Sequence, residues 1–145
     1  MPKKFKFKLE PILKIKTKKV EESKNSLNIV VRSRYEKENE IETLNEVKKD
    51  FISCPQITTK AADMQAVKDY VNNINFQIQK KENEKIKLLE IESHRRDRLN
   101  EAMKEEKVVV KLKEKKIEEY QKELNREESS FLDEVGTNQY IKNKK

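Results

Sequence analysis

Steps of three and four residues connect Leu9, Leu13, Lys16, Val20, Ser23, Leu27, Val30, Arg34, Lys37, Ile41, Leu44, Lys48 and Phe51, and eight of these thirteen positions are apolar. That spacing is the seam of a coiled coil, with polar interruptions in its middle. Pro11 is tolerated only in the first turn of a helix, where its missing N–H has no partner to lose. The first arm therefore starts near Leu9 or Glu10 and runs to about residue 52. Composition excludes most alternatives. One Gly and three Pro in 145 residues cannot supply the turns of a β-sandwich, a barrel or an α/β fold, nor a glycine-rich phosphate loop. Charged residues make up 42% of the chain, well above the roughly 25% of ordinary domains, so long polar helices or disorder remain, and the seam selects helices. No apolar run exceeds three residues, as in Val108–Val110, which predicts neither a membrane span nor a signal peptide. A single Cys54 can form no internal disulfide and no zinc site, and makes an intracellular compartment the default.

Pro55 turns Cys54 away from helical geometry and ends the first arm, giving a turn over residues 53–59. Thr58 or Thr59 is positioned to cap a second helix whose first turn contains Asp63. A short link between two helices predicts an antiparallel hairpin. The second arm spans about residues 60–135. It begins with a frame on Met64, Val67, Val71, Ile74, Ile78, Lys81, Lys85 and Leu88. A second frame follows on Leu99, Met103, Glu106, Val110, Lys113, Ile117, Tyr120, Leu124, Glu127 and Phe131. The two are out of step, which predicts a stutter near residues 93–102. Gly136 is placed to stop the helix and leave a basic tail over 136–145. The fold expected is all-α, a single antiparallel two-helix coiled-coil hairpin with unequal arms. With the turn centred near residue 56, Leu9 faces the region of Met103. The longer arm then overhangs by roughly 30 residues, or about 45 Å of helix. That overhang still carries Val110, Ile117, Tyr120, Leu124 and Phe131, a stripe that a lone helix cannot bury. A partner protein, a second copy or a fold-back at the stutter is implied.

No catalytic, cofactor-binding or metal-binding constellation is visible. His94 lies within His94-Arg95-Arg96-Asp97-Arg98 and reads as a solvated residue. The many carboxylates are spaced for pairs with Lys along helix surfaces. Residues 1–19 hold eight Lys against one Glu, so the net charge of +7 is that of one terminal arm. There Lys3-Lys4-Phe5-Lys6-Phe7-Lys8 interleaves cations with aromatics. Such an arm suits nucleic acid, an acidic membrane surface or an acidic protein cavity, or it is simply a frayed terminus. At the loop end, Leu44, Val47 and Phe51 of one arm and Tyr70 and Ile74 of the other form a second candidate contact patch.

The opening Phe5-Lys6-Phe7-Lys8-Leu9-Glu10-Pro11-Ile12-Leu13-Lys14 resembles that of the FliJ family of flagellar export proteins. The later stretch Arg98-Leu99, Ala102, Lys107, Leu112-Lys113-Glu114-Lys115, Tyr120, Glu123, Glu127 and Leu132-Asp133-Glu134 is similar to that family as well. The resemblance implies a non-enzymatic cytoplasmic component of the type III export apparatus, held at the cytoplasmic face of the membrane through its partners. It implies a stalk standing in the hexameric ring of a FliI-like export ATPase, promoting ring assembly. It also implies contact with an FlhA-like export gate and handling of FlgN-like and FliT-like chaperones. Carried onto this chain, the gate patch is Leu44, Val47, Phe51, Tyr70, Ile74, Gln77 and Lys81. The ring-facing set is Phe5, Phe7, Leu9, Val110, Ile117, Tyr120, Leu124 and Phe131. The competing readings are a homodimeric structural coiled coil and a nucleic-acid binder working through its basic arm.

Overall fold

The computed structural model describes residues 4–53 and 61–144, and these form two helices, α1 (Glu10–Ile52) and α2 (Ala61–Asn143), with no strand among them. The chain is an all-α, antiparallel two-helix hairpin whose second arm is the longer. Cys54, Pro55, Thr58 and Thr59, on which the expected turn and helix cap rest, lie outside the described residues. Two compact units are present: residues 21–100, and residues 1–20 together with 101–145.

In the unit of residues 21–100, α1 meets α2 along the spacing read from the sequence. Val30, Ile41 and Ile74 are buried, and Leu27, Leu44, Val67, Val71, Ile78 and Leu88 are half-buried around them. The polar seam positions are covered too, and ion pairs compensate Arg34, Lys37, Lys81, Lys85 and Glu92. Arg34 Nε donates to Glu92 at 2.6 Å and its Nη1 to Glu38 at 2.8 Å, while Arg96 holds the other oxygen of Glu92 at 3.1 Å. The hydrogen bonds from Arg34 to Glu92 and Glu38 hold its guanidinium still further into the charged form. Arg95 donates to the backbone carbonyl of Ser26 at 2.7 Å. Charged groups at seam positions give little net stability, but they penalise misalignment, because a shifted register would leave them unpaired.

In the other unit, an extended segment over residues 4–7 turns at Lys8 and Leu9 into α1, with the Glu10 N–H donating to the Phe7 carbonyl at 3.1 Å. Val20, Ala102 and Val109 are its buried apolar side chains.

Three expectations are corrected. First, α2 shows no stutter. Its covered positions advance from Leu88 through Glu92 and Arg95 to Leu99, and then through Ala102, Glu106 and Val109 to Lys113, always by three or four. The continuous seam was hidden because Glu92 and Arg95 are charged and Ala102 is small, and Met103, assigned to the seam, is exposed. Second, the pairing is centred near residue 61, not 56. Phe51 meets Tyr70, Glu40 meets Lys81 and Glu10 meets Lys113, each pair equidistant from about that point. Leu9 is thus level with Lys113 and not Met103, and because α2 also runs on to Asn143 the helix beyond that level is still about 30 residues long. Third, α2 passes through Gly136 to Asn143. Gly136 does not take a positive φ. A helical Gly costs only about 1 kcal/mol relative to Ala, too little to stop a long helix without a competing cap.

Candidate contact surfaces

Near the N-terminus, side chains alternate as in any extended segment. Phe5, Phe7 and Leu9 turn toward α2 and are half-buried, while Lys4, Lys6 and Lys8 are exposed. The Phe5 ring lies 5.5 Å from that of Tyr120 at 50°, a tilted aromatic contact. A cavity of about 620 Å³ separates this segment from α2, lined by Phe5, Phe7, Leu9, Leu112, Lys116 and Tyr120 among others. Cations of α1 reach across. Lys16 and Lys19 lie 3.0 and 3.3 Å from Glu105, and their hydrogen bonds hold the Glu105 carboxyl below the ordinary carboxylate range.

The set expected to face a ring splits in two. Phe5, Phe7, Leu9, Val110 and Tyr120 are partly covered within the chain itself, Ile117 is at the edge of exposure, and Leu124 is half-buried. Beyond Leu124 nothing is covered. Every residue from 125 to 144 is exposed, Phe131 at 64%, and this part of α2 runs for about 19 residues, roughly 28 Å. Leu132, Val135, Tyr140 and Ile141 join Phe131 as exposed large apolar side chains. The sequence pattern misses Leu132 and Val135 because they lie off the frame that ends at Phe131, and Tyr140 and Ile141 because they lie beyond Gly136. The signal available was that no Pro and no second Gly follows that glycine.

The loop-end patch is also divided by burial. Phe51 and Tyr70 approach to 4.5 Å between ring centroids at 54°. Tyr70, Val47 and Gln77 are exposed, whereas Leu44 and Phe51 are half-buried and Ile74, at 4%, belongs to the core. Lys81 donates to Glu40 at 2.6 Å, and this bond, with Lys37 nearby, holds the Glu40 carboxyl below its ordinary range. The geometry therefore offers a tyrosine, a valine and an amide to a partner, braced from behind by Ile74 and Phe51.

Both surfaces leave large apolar side chains exposed, Val47 and Tyr70 at one and Phe131 and Leu132 at the other. Among the described residues, no group of three or more His, Cys, Asp or Glu could hold a metal ion. Among the same residues, no helix is long and apolar enough to cross a membrane. No curated protein and no solved structure matches the chain. The family model described as "Flagellar FliJ protein" matches residues 5–145. A match over essentially the whole length, on a two-helix hairpin of unequal arms, means that the chain belongs to the FliJ family of flagellar proteins.

Proposed function

We propose that this chain, a flagellar export-related protein by family, is a non-enzymatic stalk that seats in the hexameric ring of an export ATPase, favours ring assembly and couples the ring to the membrane export gate. It works in the cytoplasm, held at the membrane face through its partners, and it also handles export chaperones. The observation that carries this reading is the uncovered C-terminal stretch of α2. An isolated helix of some 19 residues is marginal in water, and one displaying Phe131, Leu132, Val135, Tyr140 and Ile141 gains its stability from a partner. A ring lumen supplies apolar cover and opposite charge together. The hexamer is promoted because these contacts exist only once several subunits surround the helix, so binding shifts the assembly equilibrium. Val47, Tyr70 and Gln77 then meet the gate, with Leu44, Phe51, Ile74 and Lys81 fixing their placement.

The test is ATPase stimulation. Leu124→Asp combined with Phe131→Asp is expected to abolish stimulation of the export ATPase with helix content unchanged by circular dichroism. Stimulation at the wild-type level, or a stable dimer at micromolar concentration that ignores the ATPase, contradicts the reading.

A further inference from the structure

Residues 4–9 and the α2 surface beneath them leave a cleft that the chain itself does not fill. The cavity of about 620 Å³ has Phe5, Phe7 and Leu9 on one wall and Leu112, Lys116 and Tyr120 on the other. Those three α2 residues follow one another at steps of four and so form one row along the helix. Leu112 remains 36% exposed although three aromatic rings line the same cleft. Protein interiors are close-packed, and a hollow of this size with apolar walls falls in the range of binding sites. The rim is cationic. Lys4, Lys6 and Lys8 are exposed and have no ion pair among the described residues. The carboxylates of the cleft are already engaged, Glu119 at 3.4 Å from Lys116 and Glu123 at 3.8 Å from Arg126. The backbone of the segment is open as well. The Phe7 carbonyl accepts from the Glu10 N–H, and residues 4–7 make no other backbone hydrogen bond to a described residue.

We propose that this cleft binds an extended acidic segment of another protein, added beside residues 4–7 as a β-strand. Its alternate apolar side chains enter the cleft and its carboxylates face Lys4, Lys6 and Lys8. Strand addition supplies main-chain hydrogen bonds, and the period of two sends one set of side chains to each face. The same period runs through residues 4–9, with Lys on the outer face and Phe5, Phe7 and Leu9 on the inner one. Two strands alone are marginal in water, but here α2 backs the pair, which is the support such a ribbon needs. A helix matches neither the open peptide groups nor the two-residue spacing of the lysines. Nucleic acid offers anions to the rim, but Phe5 and Phe7 turn toward α2, so stacked bases and bound phosphates would have to lie on opposite sides of the segment. The proposal does not depend on the ring reading, and no ATPase enters its test, so the two can fail separately.

The probe is a short fluorescein-labelled peptide in which Glu and Leu alternate, compared with one of the same composition whose Glu and Leu form two blocks. Fluorescence anisotropy with the full-length protein is expected to show binding of the alternating peptide only, weakening as salt rises. Methylating the backbone nitrogens of all Leu, or of all Glu, blocks one edge of the peptide or the other. One methylated peptide is therefore expected to lose binding and the other to keep it, whereas a purely ionic contact would treat them alike. Lys4→Gln, Lys6→Gln and Lys8→Gln together are expected to weaken binding about tenfold, as three exposed ion pairs would. Leu112→Asp, which puts a carboxylate on the cleft wall, is expected to weaken it with helix content unchanged. The proposal is overturned by no binding of the alternating peptide at low salt, by equal binding of the block peptide, or by methylated peptides that bind alike. A triple variant that binds like the wild type, or oligothymidine bound more tightly than the peptide, also overturns it. So does a dimer of the free protein that Leu112→Asp disperses, since a second copy would then occupy the cleft.

Discussion

The two compact units use the same helices differently. Residues 21–100 carry fifteen basic and fifteen acidic side chains, so the whole net charge of +7 belongs to residues 1–20 and 101–145. The balanced unit spends its charges internally, on Arg34 with Glu92, Lys37 with Glu84, Lys81 with Glu40 and Lys85 with Glu38. The basic unit joins Lys16, Lys19 and Lys113 to α1–α2 partners, but leaves the lysines of its outer face and the apolar end of α2 without cover. One seam pattern can therefore serve two ends. Where both arms are present it closes a core and sets register, and where one arm is missing it becomes a surface that requires another molecule.

The largest expected effect falls on the closed unit. Ile74→Ala removes a buried side chain from the seam and should cost about 2–4 kcal/mol, read as a lower thermal midpoint. A loss below about 1 kcal/mol would mean that ion pairs and not packing hold this unit. Next comes the aromatic closure of the basic unit. Tyr120→Ala should cost about 1–2 kcal/mol through lost burial and the lost contact with Phe5, with faster hydrogen exchange near residues 9–20. Changes confined to residues 21–100 would break the division drawn here.

Acid acts on both units with the same sign. Hydrogen bonds from Lys81, Lys37 and Lys16 hold Glu40, Glu84 and Glu105 respectively below the ordinary value of 4.5. Their contribution is complete above that ordinary value and disappears as pH falls through the lower folded values, because protonation then breaks the pairs. The thermal midpoint should be nearly level between about pH 5 and 8 and decline below about pH 4.5. The smallest effect is expected on the open helix. Lys122→Gln removes an exposed pair with Glu118 and should shift stability by less than about 0.5 kcal/mol.

Much of this was legible in the spacing of residues. All thirteen seam positions read for α1 are buried or half-buried, including Lys16, Ser23, Arg34, Lys37 and Lys48, because period alone assigns a helix face whatever the side chain. Beyond Leu88, hydropathy stopped marking the seam of α2. Glu92 is buried because Arg34 and Arg96 neutralise it, a compensation supplied by residues 58 and 4 positions away. The pairing register was missed for a related reason. Pro55 marks where α1 must end, but cross-helix partners such as Glu10 and Lys113 determine where the arms align. The residues proposed to face a ring rest on their apolar stripe, but which of them the chain covers itself depends on residues 4–7 and the contact of Phe5 with Tyr120.

Hydrogen exchange across α2, with and without the export ATPase, tests most directly whether the uncovered end is the docking face. In the free protein, amides of residues 125–143 should exchange far faster than those of residues 67–113, since a helix without tertiary cover opens readily. Adding the ATPase should slow exchange selectively over 125–143. Protection of that stretch already present in the free chain, or no change when the ATPase is added, would contradict the account.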